Sequence, residues 1–158
     1  MRTFDQHEIA DFIAIQRLQA SYADIVTRRE WSELAQIFLP DATVTIDRLE
    51  GTPFVLRTPA GIGEFIDTSI ERFDFFEFVI LNSVIEFGPA GSGEATARMY
   101  MAELRQSREG GRRSTAFGLY RDKYVKRGDD WLIGERNYRS AARTSAREFD
   151  VFGFELSE

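Results

Sequence analysis

Apolar residues first recur with a helical rhythm. Over residues 7–29, Ile15, Leu18, Tyr22, Ile25 and Val26 fall at three- and four-residue steps, which predicts one long amphipathic helix. Asp5 stands before it with Glu8 three residues later, the spacing of a capping box. Trp31, Leu34, Ala35 and Phe38 share a face over 31–38 and predict a second, short helix that Pro40 ends. Val44 and Ile46 alternate within 42–47, a strand signal, and 54–56 is placed to pair with it as a hairpin after Gly51. Pro59 and the stretch GIGEFIDTSIERF predict a third helix over about 60–72, with the proline in its first turn.

Beyond that point the pattern changes to strands. Four long runs, 75–87, 94–107, 115–127 and 131–144, are separated by GPAGSG, REGGRR and GDD, which are turn sequences. Short loops between successive strands imply an antiparallel meander. Helices first and a long sheet afterwards is an α+β order. The expected architecture is a single domain over 1–158, with N-terminal helices packed on a strongly curved, mostly antiparallel sheet. Such a sheet leaves a cone-shaped apolar pocket against the helices. The Phe residues of the C-terminal segment REFDVFGFELSE are expected to cover an open end of the sheet or a neighbouring subunit.

Composition narrows the chemistry. With 43% hydrophobic and 29% charged residues, the 158-residue chain has the make-up of a globular domain. No run approaches the roughly 18 apolar residues of a membrane span. The N-terminus lacks a signal-peptide core, so a cytoplasmic protein with no membrane partner is expected. There is no cysteine, which excludes disulfides, thiolate metal sites and cysteine nucleophiles. The single histidine, His7, reads as a solvated terminal residue, and a His-based zinc or iron site is not expected. No metal or organic cofactor is expected, although a carboxylate-only magnesium or calcium site stays open. No phosphate-binding glycine loop occurs. The net charge of −6 disfavours nucleic acid. Arg105, Arg108, Arg112 and Arg113 surround the Gly110-Gly111 turn and read as a solvated loop. The 14 phenylalanines exceed what a small core needs and fit the lining of a ligand cavity.

Three phrases carry a resemblance. They are Tyr22-Ala23…Thr27-Arg28-Arg29-Glu30-Trp31, then Phe38-Leu39-Pro40-Asp41-Ala42, then the set Tyr120, Asp122, Trp131 and Tyr138. Over roughly 9–142 the chain resembles the SnoaL-like branch of the nuclear transport factor 2-like superfamily. It looks like the group of scytalone dehydratase, bile-acid 7α-dehydratase and hexachlorocyclohexane dehydrochlorinase, with polyketide cyclases and limonene epoxide hydrolase more distant. In dehydratase-like members a helix Asp orients a strand His that abstracts a proton. The matching positions here are Thr27 and Phe78, with Asn82 fitting the strand Asn. Neither side chain can serve as a base near pH 7.

Other residues must then supply the chemistry. By the resemblance, Tyr22 matches a cavity tyrosine and Glu103 a cavity carboxylate. Alternation agrees, since Met99, Met101 and Glu103 share a strand face. Glu103 is either a carboxylate at the edge of the pocket, with its pKa raised by burial, or a strand-end residue in water beside Arg121 or Arg105. Asp122 shares a face with Gly118 and Tyr120, and is either a general base or a salt-bridge partner of Arg136 or Arg139. Gly118 leaves room for a ligand or a sheet bend. Asn82 and Arg136 either polarise a substrate oxygen or stitch the sheet. Tyr138 closes the pocket or sits in the core. The catalytic candidates are therefore Glu103, Asp122 and Tyr22. The substrate-binding candidates are Thr27, Phe76, Phe78, Asn82, Met101, Phe117, Tyr120, Arg136 and Tyr138.

The expected activity is that of a cofactor-independent lyase, isomerase or cyclase on a hydrophobic aromatic or polycyclic small molecule. The alternative is a non-catalytic binding protein or a structural subunit like the β subunits of ring-hydroxylating dioxygenases. A homodimer or homotrimer is expected, since an open sheet face and a Phe-rich tail leave apolar area to bury.

Overall fold

The structure is a computed structural model that describes residues 5–144 and the backbone of 149–151. The first helix, α1 (Gln6–Arg28), starts at the capping box expected from the sequence. The Asp5 carboxylate accepts the Glu8 N–H at 2.8 Å, and Glu8 accepts the Asp5 N–H at 3.3 Å. The helix ends at Arg29, which turns left-handed at φ 62° and closes the last turn with its N–H. That conformation is uncommon for a residue with a Cβ. Arg29 is held there by its guanidinium, which donates to the Phe73 carbonyl at 2.7 Å. Ile15, Leu18, Tyr22, Ile25 and Val26 are all buried, as the helical rhythm predicts.

The second helix is a short 3₁₀ segment, Trp31–Gln36, and it stops earlier than expected. Phe38 is the first residue of strand β1 (Phe38–Ile46), so Pro40 lies inside a strand and Ala35 is exposed. Strand β2 (Phe54–Arg57) pairs back on β1, with Val44 opposite Leu56. Helix α2 (Pro59–Ile70) has the proline at its start, capped by the Thr58 hydroxyl. Trp31 Nε1 donates to Asp67 at 2.9 Å and ties the 3₁₀ segment to α2.

The meander follows as β3 (Phe73–Phe87), β4 (Glu94–Ser107), β5 (Arg113–Arg127) and β6 (Asp130–Thr144), each antiparallel to the next. The short β7 (Phe149–Val151) pairs with the end of β6. The Phe side chains of the C-terminal segment lie outside the described residues. The order along the sheet is β2-β1-β6-β5-β4-β3. The β1–β6 pairing is parallel, with Val44 opposite Arg136. It was not legible from local pattern, because it joins the two ends of the chain. The result is an α+β fold in which helices pack on one curved mixed sheet.

Two residues pin α1 to the far end of the sheet. Asp11 accepts from Lys126 Nζ at 2.7 Å and from Trp131 Nε1 at 2.9 Å. Between helix and sheet lie Ile15, Leu34, Ile62, Met99, Met101 and Ile133, each essentially without exposure. Full burial of one such side chain stabilises the fold by about 1.5–3 kcal/mol.

Candidate active site

A cavity of about 160 Å³ opens between the helices and the sheet. Tyr22 from α1, Phe78 from β3 and Tyr120 from β5 form its buried end. Residues Ile62, Phe65, Ile66, Ser69 and Ile70 of α2 cover one side, at helical spacing. Val44 and Leu56 of the β1–β2 hairpin close another. The charged lining residues are Arg72, Glu103, Arg105 and Arg143. Arg72 and Arg143 are exposed, so this group marks the mouth.

Aromatic rings form the buried end, with Tyr22 edge to face against its two neighbours. Tyr22 meets Phe78 at 5.3 Å between ring centres and Tyr120 at 6.1 Å. Tyr120 in turn meets Tyr138 at 5.1 Å. These separations are in the favourable range for aromatic pairs. Gly118 makes room for Tyr138, because a methyl group at residue 118 would overlap the Tyr138 ring and touch Met101 Sδ at 3.0 Å. The space that the glycine was expected to leave for a ligand is therefore filled by a tyrosine.

Behind the rings lies a closed polar network. Arg136 Nε and Nη2 each donate to Asp122 at 2.7 Å, one to each oxygen. The Tyr124 hydroxyl donates to Asp122 Oδ2 at 2.6 Å and accepts from Gln19 Nε2 at 3.0 Å. The Arg136 and Asp122 side chains are both 0% exposed. The Arg136 guanidinium carbon lies 4.1 Å from the Tyr22 ring centre and 4.4 Å from that of Tyr120. It is thus stacked against the outer side of the cavity's wall, and its Nη1 has no hydrogen-bond partner.

This network corrects the reading of Asp122 as a base. Its oxygens already take three donors, and neither it nor Arg136 lines the cavity. Asn82 is corrected as well. The β3–β4 register slips between Ile80 and Asn82, and this bulge reverses the alternation. Phe76, Phe78 and Ile80 point inward before it, whereas Asn82 is exposed after it. A one-residue slip moves every later side chain to the other face. Phe117 lies opposite Ala102, out of phase with Gly118 and Tyr120, and does not line the cavity. Met101 is fully buried beneath Tyr138 and is also outside the lining.

Of the residues singled out in the sequence, Tyr22, Phe76, Phe78, Glu103, Tyr120 and Tyr138 line one space. Glu103 is paired with Arg105, two residues along the same strand face, through Arg105 Nε at 3.0 Å and also through Nη2. Their side chains are 17% and 15% exposed, so the pair sits at the mouth and is neither core nor free surface. In the sequence Arg105 reads as part of a solvated loop. Local pattern gives no signal for Arg72 and Arg143, and it shows α2's apolar face as a helix but not as a cavity wall.

The three cavity phenols share one electrostatic state. Burial raises the pKa of Tyr22, and the Arg136 charge opposes it without cancelling it. Burial holds Tyr120 well above the ordinary tyrosine value, with neighbouring Tyr22 adding to the shift. Burial and the Glu103 charge raise Tyr138. At neutral pH all three keep their protons and are hydrogen-bond donors. Glu103 is the one carboxyl side chain among the described lining residues. Among the described residues no group of three or more His, Asp or Glu side chains could hold a metal ion.

The family model of the SnoaL-like domain matches residues 7–137. The chain belongs to the SnoaL-like domain family. Over 129 residues it is 27% identical to the probable cyclase FGR4 of Gibberella zeae, spanning 75% of this chain and 83% of that protein. Its fold is similar to hexachlorocyclohexane dehydrochlorinase LinA-type3 from Novosphingobium barchaimii, with TM-score 0.72 and 20% identity over 95% of this chain and 96% of that one. It is also similar to ActVI-ORFA from Streptomyces coelicolor, with TM-score 0.66 and 15% identity over 82% and 96% of the two chains.

Within this SnoaL-like domain Thr27 and Phe78, which the sequence resemblance sets against an Asp–His pair, are in direct contact. Thr27 Oγ1 accepts the backbone N–H of Phe78 at 3.0 Å. Thr27 itself does not line the cavity, and Phe78 contributes only an apolar ring.

Proposed function

We propose that this protein is a cofactor-independent lyase, isomerase or cyclase acting on a small cyclic, apolar substrate. The observation that carries this reading is one apolar cavity, open at a charged mouth, in which three protonated phenols and, among the described residues, a single carboxyl group converge. A few polar groups in an apolar pocket are the usual make-up of a small-molecule site. The enclosed volume suits one ring, since an apolar cavity of roughly 150 Å³ accepts benzene. Further rings would extend past the mouth.

The division of labour follows from the kinds of group that line the cavity. Glu103 takes a proton from a substrate carbon. The electron pair left behind moves onto an adjacent carbonyl oxygen or expels a leaving group. Tyr22, Tyr120 or Tyr138 donates a hydrogen bond to the oxygen that gains charge, or protonates a departing hydroxyl. Fixed donors in a water-poor site stabilise developing charge more than water does. Glu103 later returns its proton to product or solvent, a tyrosine that has protonated a departing hydroxyl regains a proton from Glu103 or solvent, and no external oxidant or reductant enters.

The loss of both members of the Asp–His pair favours a second reading, a non-catalytic binding protein. Steady-state kinetics of Glu103→Gln and Tyr22→Phe on an identified substrate separates the two. Under the catalytic reading Glu103→Gln lowers kcat by about 100-fold or more, and Tyr22→Phe lowers it less. A near-wild-type rate for Glu103→Gln overturns the assignment of the proton carrier.

A further inference from the structure

We propose that the ligand of this cavity carries a carboxylate, held at the mouth by Arg72 and Arg143, with its apolar ring inside. The inference rests on the cavity being the ligand site and adds the substrate's charge to that reading.

The mouth gathers three guanidiniums and one carboxylate, in a chain whose net charge is −6. Arg105 is committed to Glu103. Arg72 and Arg143 have no carboxylate within salt-bridge distance among the described residues. Both nevertheless border the cavity. Arg72 lies over the ring of Phe73, a lining residue, with its guanidinium carbon 5.0 Å from the ring centre. Arg105 approaches the same ring at 5.4 Å.

Arg143 reaches the cavity because of a break in the sheet. Along β6, Arg136, Tyr138 and Ser140 point inward, opposite Asp122, Tyr120 and Gly118. Simple alternation would place Ala142 inward next and Arg143 on the outer face. The register slips between Phe117 and Gly118, so that Ala142 pairs with outward Phe117 and Arg143 with Ala116. Arg143 thereby comes to line the mouth. Bulges beside binding sites commonly re-aim one side chain in this way.

Two guanidiniums with no carboxylate partner among the described side chains, beside an apolar wall that concentrates their field, suit a planar carboxylate with paired N–H donors. Arg105 keeps Glu103 neutralised, so an incoming anion does not meet a bare carboxylate. The inferred substrate class is a monocyclic or partly reduced cyclic carboxylic acid, with a short arm between ring and acid.

Calorimetric titration with 3-phenylpropanoate and with its neutral amide tests this. Wild type, Arg72→Gln/Arg143→Gln and the cavity-blocking Ile66→Trp are compared at low and moderate salt. The acid should bind wild type about tenfold or more tightly than the amide, the size expected for hydrogen bonds to a charged group. Salt should weaken the acid alone. The double arginine variant should bind both compounds equally, at the amide's affinity, and Ile66→Trp should bind neither. Equal affinities in wild type overturn the anion site and leave the cavity reading intact. An acid preference that survives in the double variant, or acid binding that survives in Ile66→Trp, overturns it too. Failure of wild type to bind either compound at millimolar concentration overturns both the anion site and the cavity reading.

Discussion

Thr27 Oγ1 and the backbone N–H of Phe78 are joined by a 3.0 Å hydrogen bond between α1 and β3. Strand β3 lies at the edge of the sheet, so amides that face away from β4 have no ladder partner there. The threonine hydroxyl supplies one. Thr27→Val keeps the shape and removes the acceptor, leaving a part-buried donor unpaired. Urea unfolding should show a loss of about 1–3 kcal/mol. A loss below about 0.5 kcal/mol would mean that water replaces the hydroxyl and that the contact is incidental.

The pair Asp122–Arg136 is fully buried, and each member is the other's main compensation. Removing one leaves an uncompensated charge in the core. Asp122→Asn or Arg136→Gln should each cost about 3–5 kcal/mol, whereas Asp122→Leu with Arg136→Met should cost less than the sum. Denaturant titration of the three variants checks this. Additive losses would show that the two groups act independently.

Gly118 is required by the ring of Tyr138. Gly118→Ala forces that ring to shift and strains Met101 below it. The expected cost is about 1–3 kcal/mol, the usual range for overpacking. Because Tyr138 lines the cavity, ligand affinity should fall as well. Gly118→Ala with Tyr138→Leu should recover stability but not affinity. Full stability of Gly118→Ala alone would contradict the packing described here.

Much of this molecule was legible in its sequence, for physical reasons that can be named. Tyr22 and its neighbours lie on a long amphipathic helix, where periodicity is a strong signal. The strand runs carry period-2 patterns bounded by turns, so Glu103 and Tyr120 could be assigned a face correctly. Asn82 and Arg143 could not, because each follows a bulge, and a bulge is set by pairing between strands and not by local pattern. Pro40 was misplaced for a related reason. It reads as a helix stop, yet it sits near the start of β1 at a point where the β1–β6 register is irregular. Asp122 reads in the sequence either as a general base or as a salt-bridge partner of Arg136 or Arg139, and its cross-strand position opposite Arg136 decides between them.

Tyr22, Tyr120, Tyr124 and Tyr138 all have raised pKa values, for which burial is the first cause. A folded-state pKa above the unfolded value gives stability that is complete below the unfolded pKa. It is lost as pH rises toward the folded value. Stability should therefore fall above about pH 10, the ordinary tyrosine value. Absorbance at 295 nm should show these four phenols ionising together with unfolding. Independent ionisation in the folded protein near pH 10 would show that they are accessible to solvent.

The most direct test of proton transfer in this cavity is mass spectrometry in deuterated water. Wild type and Glu103→Gln are incubated with a pool of cyclic and aromatic metabolites, and bound and released compounds are weighed. The expected result is that wild type returns a compound altered by elimination, ring closure or uptake of deuterium at carbon, while Glu103→Gln retains the same parent compound unlabelled. If both proteins hold one unchanged, unlabelled ligand, the cavity binds without catalysing.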